Sequence, residues 1–222
     1  MKSASTIATS ASLRLSFLFL FVLLPFPTAF AQSESNFSSV NLPRGIELQI
    51  PKGWWLLGDD YNRMIQTTAE AAMDLSGLGL QDGQNTNLIA ANSMPRSTYA
   101  AVRVDSSIPA SIPVSMFSSL TPADMREFQS EMHKITKMIL PQQGLRLIEF
   151  KGSRIDEIAG YPALVTEYRR TGPKGPVFVQ VNQIITESQD IRINLSYRES
   201  ETALWKPVIG KIRQSITIRR WP

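Results

Sequence analysis

The residue types that could do acid–base or nucleophilic chemistry are few: His133 is the single histidine among 222 residues, and there is no cysteine. A Ser-His-Asp triad would have to use this imidazole, and a multi-histidine metal site is excluded. The absence of cysteine excludes a thiol nucleophile, a thiolate metal site and any disulfide. His133 lies one step beyond Met132, about 100° off the apolar side of a helical pattern, with Gln129 and Lys137 as its neighbours. This pattern predicts a solvated histidine rather than a general base.

The other motifs with chemical potential do not match catalytic patterns. The chain has no G-x-S-x-G nucleophile elbow. In the glycine-rich stretch 77–83 the last glycine comes one residue late for a dinucleotide fingerprint. The acids of Asp59-Asp60 and of Asp156-Glu157 are chain neighbours, and such carboxylates do not converge on one metal ion or one bond. We therefore predict no catalytic, cofactor-binding or metal-binding residues, and a protein that is not an enzyme.

Two adjacent tryptophans, Trp54 and Trp55, are candidates for a binding platform. Consecutive residues on a strand point to opposite faces, so one indole is expected in the core and the other against a helix or solvent. Core packing is the simpler interpretation, whereas an exposed tryptophan contributes strongly to a protein interface. We take Trp55 as the candidate partner contact.

Two loops supply the remaining candidate contacts with a protein partner. The Gly-rich loop 78–87 carries Leu78, Leu80 and Asp82, and is either a recognition loop or simple slack. The turn 172–176 is surrounded by basic residues. These are Arg169, Arg170 and Lys174. They predict either contacts with an acidic partner or an ordinary solvated loop tip, and the solvated tip is the simpler interpretation.

Residues 1–31 have the pattern of a secretory signal peptide. Lys2 and Arg14 precede a ten-residue apolar run at 15–24, and the small residues Ala29 and Ala31 form an A-x-A cleavage site. The apolar run is half of the roughly 20 residues needed to span a bilayer. We predict cleavage after Ala31, a periplasmic or secreted protein, and no transmembrane segment after cleavage. An uncleaved anchor is the weaker alternative.

The formal charge of +4 does not indicate a nucleic-acid-binding protein. Lys2 and Arg14 leave with the predicted signal peptide and no acid leaves with them, so the charge falls to +2. Residues 32–140 are net acidic and residues 141–222 are net basic, a split that favours an acidic partner surface or reflects solvated strand faces. No dense basic run interleaved with aromatics exists, and nucleic acid is therefore not an expected partner.

The rest of the chain predicts an α+β fold, with a flexible polar tether at 32–44 and a single domain at 45–222. Alternating residues predict strands at 46–50, 54–57, 88–92, 98–105, 145–155, 162–171, 176–186, 190–198 and 216–218. Helical spacing predicts helices at 60–76, at 122–140 with Thr121 as cap, and at 201–213 with Ser200 as cap and Pro207 kinking it or starting it. Short links between the later strands require antiparallel neighbours. We expect a largely antiparallel sheet flanked by helices on one or both sides.

Three stretches of the chain carry a family resemblance. The stretches are Gly45–Trp54 (strand, turn and tryptophan), Ile158–Tyr168 (with Gly-Tyr-Pro-Ala) and Trp205–Ile218 (closing helix and strand). In their motifs and in the order of their elements, these stretches resemble the Mog1/PsbP-like superfamily of α/β/α sandwiches, including its DUF1795-like secreted bacterial members. The resemblance implies a protein without catalytic activity, because members are generally accessory subunits, assembly factors, secretion chaperones or protein-binding modules.

Three functions follow as hypotheses. The first is an exported, non-catalytic protein-binding or accessory domain of the cell envelope. The second is a periplasmic immunity protein that neutralises a secreted toxin through loops 78–87 and 172–176. The third is a hydrolase with no recognisable motif, which would require a pocket with converging carboxylates near His133.

Overall fold

Alternation of apolar and polar residues produces strands over much of the chain. The computed structural model describes residues 36–56, 86–108, 110 and 113–220. The strands are β1 (Phe37–Asn41), β2 (Ile46–Pro51), β3 (Trp55–Leu56), β4 (Thr86–Asn92), β5 (Ala100–Ser107), β6 (Leu147–Ile158), β7 (Tyr161–Arg170), β8 (Val177–Ile185), β9 (Asp190–Arg198) and β10 (Thr217–Ile218). The helices are α1 (Val114–Ser118), α2 (Pro122–Gln142) and α3 (Thr202–Gln214).

Within the described residues, the strands form one seven-stranded and one three-stranded sheet. The large sheet has the order β3-β4-β5-β9-β8-β7-β6, and the small one has the order β1-β2-β10. Every recorded pairing is antiparallel, and β6 to β9 follow one another as the short links between them predicted. The predicted α+β class is confirmed.

One face of the large sheet packs against α3 and the small sheet. Ile191, Ile193 and Leu195 of β9 point to this face and are fully buried in the same cluster as Leu48 of β2 and Ile212 of α3. Full burial of a side chain of this size stabilises the fold by roughly 2 kcal/mol. The alternating residues of β9 therefore place α3 over the centre of the sheet.

The start of α3 differs from the prediction. Glu201, not Ser200, is the N-cap residue, and its side chain makes no capping hydrogen bond. Pro207 lies inside α3, where it cannot donate to the carbonyl of Ala203. The Glu201 carboxylate instead accepts hydrogen bonds from the Tyr99 N–H and from Trp205 Nε1.

Helix α2 lies against the opposite face, at the β6 edge. As predicted, Thr121 caps it: the Asp124 N–H donates to Thr121 Oγ1 over 3.2 Å, and the Thr121 N–H donates to Asp124 Oδ2 over 2.8 Å. Gln129 Nε2 donates to the carbonyl of Ser153 in β6 over 2.6 Å. The helix continues through Pro141 to Gln142, slightly beyond the predicted end.

The prediction of a flexible tether at 32–44 is wrong for residues 36–44. Phe37–Asn41 pairs with β2 along its whole length, and Phe37 is only 8% exposed in the core. The two serines that suggested a loose segment, Ser38 and Ser39, are both exposed within β1. Three predicted segments lie outside the described residues. They are the signal peptide at 1–31, the first part of the tether at 32–35 and the helix at 60–76.

Candidate partner-binding surface

The two adjacent tryptophans do point to opposite faces, and the structure decides which one is exposed. The Trp54 ring packs edge-on against Trp205 of α3, with centroids 5.8 Å apart and planes at 80°. Trp55 lies on β3, at the edge of the large sheet, and is 49% exposed. Trp54 therefore packs against the core, and Trp55 is open to contact with another molecule.

Three other side chains lie with Trp55 at this edge. Leu56 is 51% exposed and Met94 is 44% exposed. The guanidinium carbon of Arg96 lies 4.5 Å from the centroid of the Trp55 ring, a distance typical of a cation–π contact. We call these four residues (Trp55, Leu56, Met94 and Arg96) the Trp55 patch. Leu56 follows Trp55 on β3 and points to the opposite face, so the patch offers exposed apolar side chains on both faces of this edge and one cation beside Trp55.

Hydrogen bonds within loop 93–99 hold the half of the patch that carries Met94 and Arg96. The Ser93 N–H donates to the Ala100 carbonyl over 2.8 Å, and the Ala100 N–H donates to Ser93 Oγ over 2.8 Å. The Thr98 N–H donates to the Pro95 carbonyl over 3.0 Å. The loop is a closed turn, so its exposed side chains are presented on a fixed backbone.

Glu201, at the start of α3, fastens the same loop to the domain. Its Oε2 accepts a 2.8 Å hydrogen bond from the Tyr99 N–H and a 2.9 Å bond from Trp205 Nε1. Its Oε1 pairs with Arg198, which also donates to the Ser97 carbonyl over 3.0 Å. A partly buried carboxylate needs such partners, and those of Glu201 connect the loop, β9 and the Trp54–Trp205 contact.

Arg169 does not have the role predicted for it. Its Nε and a terminal nitrogen each lie 2.7 Å from the carboxylate of Glu199, and its other nitrogen lies 3.0 Å from Glu149. The hydrogen bonds that Arg169 donates to Glu199 and Glu149 raise the pKa of Arg169, and the one that Glu149 accepts lowers the pKa of Glu149. Arg169 is thus engaged within the domain and joins β6, β7 and the segment before α3.

Arg170 and Lys174 do not join Arg169 in one basic cluster. Arg170 points to the opposite face of β7, where it donates to the Thr171 carbonyl over 2.9 Å and to the Tyr99 hydroxyl over 3.4 Å. Lys174 is exposed at the tip of the following turn. Leu78, Leu80 and Asp82 lie outside the described residues. Of the predicted contacts, Trp55 and Lys174 are the two that the structure places openly at the surface.

Sequence reasoning missed Leu56, Met94 and Arg96. Met94 and Arg96 fall in a short stretch between strands, where no periodicity marks them. Only the pairing of β3 with β4 brings Trp55 opposite Asn92, next to the loop that carries them. The one available signal was an apolar residue, Met94, in an otherwise polar connection.

The surroundings of His133 bear on the hydrolase hypothesis. Its ring is exposed and stacks on Phe150, with centroids 5.0 Å apart and planes at 14°. It lies in a groove whose one lining carboxylate, Glu149, is paired with Arg169. The converging carboxylates that a hydrolase would need are absent from this lining. Among the described residues, no group of three or more histidines and acids is placed to hold a metal ion.

Comparison with known structures identifies the fold class. The solution structure of cyanobacterial PsbP (CyanoP) from Synechocystis is similar, with a TM-score of 0.51, 13% identity, and coverage of 88% of this chain and 99% of that one. This chain shares that fold, a sheet with α3 on one face and α2 on the other, so the fold expected from the Mog1/PsbP-like resemblance is confirmed. At this low sequence identity, the structural similarity shows the fold alone.

Two further structures are more distant. LpqN, involved in cell envelope biogenesis of Mycobacterium tuberculosis, has a TM-score of 0.43 and 14% identity, with coverage of 84% of this chain and 91% of that one. A Pseudomonas aeruginosa protein of unknown function has a TM-score of 0.41 and 14% identity, with coverage of 83% and 98%. No family model and no curated protein matches the sequence. In the described part of the chain, no helix is long and apolar enough to cross a membrane.

Proposed function

We propose that this protein is an exported, non-catalytic accessory domain that binds a protein partner of the cell envelope through the Trp55 patch. The observation that carries the proposal is the half-exposed indole of Trp55 at a sheet edge, with Arg96 stacked on it. Exposed tryptophan and arginine are the residue types that contribute most to the energy of protein interfaces.

The way the patch is held also favours binding. A loop that is already ordered loses little conformational entropy when a partner docks, so more of the contact energy remains as affinity. Glu201 and Arg198 supply that order for the loop carrying Met94 and Arg96. Exposed apolar side chains grouped on a rigid edge are typical of an interaction site.

The exported location and the accessory role rest on separate support. The signal-peptide pattern of residues 1–31 supports export. The groove at His133 has a single carboxylate, already paired, and this supports a binding role over hydrolysis. An assembly or accessory role agrees with both.

The test is affinity capture from an envelope extract of the native organism, with the full chain tagged at its C-terminus. We expect one stoichiometric partner with the unmodified protein, reciprocal capture when that partner is tagged, and loss of the partner with Trp55→Ala. The matched control is Ile155→Ala, which removes an apolar side chain that is 40% exposed on the opposite edge strand. Recovery of no stoichiometric partner in repeated captures, or equal recovery with Trp55→Ala, would contradict the proposal.

A further inference from the structure

A second surface feature lies between the C-terminal half of α2 and the beginning of β6. It is a groove of about 470 Å³, a size typical of ligand sites. Its lining residues are His133, Lys137, Pro141, Arg146, Leu147, Ile148, Glu149 and Phe150. We call it the α2–β6 groove.

The uncompensated charge of this groove is positive. Lys137 and Arg146 are both exposed, and neither forms an ion pair with an acid of the described chain. Glu149, the one acid in the lining, is 3.0 Å from Arg169 and 3.5 Å from Lys151. Its negative charge is therefore matched within the domain, and two cations remain to attract an anion.

The turn after β7 is joined to the residue before β6. The Arg146 N–H donates to Thr171 Oγ1 over 2.8 Å, and the Thr171 N–H donates to the Arg146 carbonyl over 2.9 Å. These two bonds fix the backbone of Arg146, one of the two cations of the groove.

The groove also has an apolar wall and a strand edge. Ile148 is exposed there, beside Leu147 and Pro141. Among the described residues, β6 has β7 as its one strand neighbour, and the register of this pair shifts between Leu147 and Glu149. Farther along, Gln129 of α2 occupies the Ser153 carbonyl. The approachable part of the edge is therefore its first few residues.

We propose that the α2–β6 groove binds an extended acidic segment of the partner protein, with its backbone along Leu147–Phe150 and its carboxylates against Lys137 and Arg146. Alternating apolar and acidic side chains suit it, because successive residues of an extended peptide point to opposite sides. This proposal depends on the proposed function in one respect: both take the ligand to be a protein.

The test is direct binding of two labelled peptides to the purified protein, followed by fluorescence anisotropy. One is a blocked octapeptide of alternating valine and glutamate, and the other has lysine in place of glutamate. We expect saturable binding of the acidic peptide alone, weakened about tenfold when both Lys137 and Arg146 are changed to glutamate, because two attractions become repulsions. Lys206→Glu, an exposed charge reversal on α3, is the matched control and leaves affinity unchanged. Circular dichroism verifies that each variant is folded.

Equal binding of the two peptides, no binding of the acidic one, or no effect of the double charge reversal overturns the groove proposal. These outcomes are separable from failure of the proposed function. Trp55→Ala should leave peptide affinity unchanged while abolishing capture of the partner. Capture that depends on Trp55, without peptide binding, would remove the groove proposal and leave the proposed function in place.

Discussion

At the scale of single residues, Trp54 and Trp55 have different roles: Trp54 stabilises the fold, and Trp55 is the proposed contact with a partner. Adjacent side chains point to opposite faces, so the Trp54 indole packs against Trp205 of α3 while the Trp55 indole remains at the surface. Removal of either ring should therefore affect a different property of the protein.

Trp54→Ala should lower the free energy of unfolding by about 3 kcal/mol, because it leaves a cavity beside Trp205. Trp55→Ala should change it by less than about 0.5 kcal/mol, because that side chain is half exposed and its contacts are at the surface. Urea unfolding followed by circular dichroism measures both. Equal destabilisation by the two variants would show that Trp55 is a core residue after all.

The ion pair of Arg169 makes a prediction about pH. The Arg169 guanidinium lowers the pKa of Glu149 from its usual 4.5, so folding favours the ionised carboxylate. The resulting stabilisation is fully present above pH 4.5 and is lost as the pH falls through the lowered, folded-state pKa. In Arg169→Gln, the pKa of Glu149 should return towards 4.5, as measured by NMR titration.

The same change should be visible in stability. The difference in unfolding free energy between the unmodified protein and Arg169→Gln should shrink as the pH is lowered below 4.5. Lys206→Gln, which removes an exposed cation elsewhere, controls for the change in net charge. A stability difference that stays constant on acidification would contradict a role for Glu149 in this ion pair.

At the scale of elements, sequence patterns predicted an element correctly where its hydrogen bonds or packing depend on residues close in sequence. The capping box of α2 is formed by Thr121 and Asp124, three residues apart, and the alternation in β9 is visible within its own nine residues. Each predicts its element because the hydrogen bonds or packing depend on neighbours a few residues away.

Sequence patterns did not predict the elements whose hydrogen bonds come from residues far away in the sequence. β1 contains two exposed serines and no strict alternation, and it is a strand because β2 supplies its hydrogen bonds. Loop 93–99 is ordered by Glu201, which is 102 residues from its partner Tyr99. The Trp55 patch could not be predicted for the same reason, since it depends on the pairing of β3 with β4.

The cap of α2 is a test at this scale. Thr121→Ala should lower the free energy of unfolding by about 1 kcal/mol, because the Asp124 N–H loses its acceptor. Thr121→Ser, which keeps the hydroxyl, should retain most of the stability. Thermal unfolding compares the three proteins, and indistinguishable transitions for alanine and serine would contradict the capping role.

At the scale of the whole molecule, the small sheet is an integral part of the domain. Arg44, between β1 and β2, donates to the Ser106 carbonyl over 2.8 Å. Ser106 Oγ donates to Gln189 over 2.8 Å, and Gln189 Nε2 donates back to the Arg44 carbonyl over 3.0 Å. This buried ring of hydrogen bonds joins the small sheet to β5 and to the β8–β9 turn of the large one.

Integration of β1 predicts that Phe37→Ala lowers the free energy of unfolding by about 3 kcal/mol, as expected for a large core side chain. Ser38→Ala, next to it on the exposed side, should have little effect and serves as the control. Guanidinium unfolding measures both variants. A flexible tether would instead give no loss in either.

The proposed function requires that the Trp55 patch touches a protein partner. Photo-crosslinking in the native organism measures this contact, with benzoyl-phenylalanine placed at Trp55 and, as control, at Glu187, which is exposed in the β8–β9 turn far from both the patch and the α2–β6 groove. We expect one dominant covalent adduct from position 55, identified by mass spectrometry as the partner found by capture, and no such adduct from position 187. No adduct at position 55, or the same adduct from both positions, would show that this edge does not bind the partner.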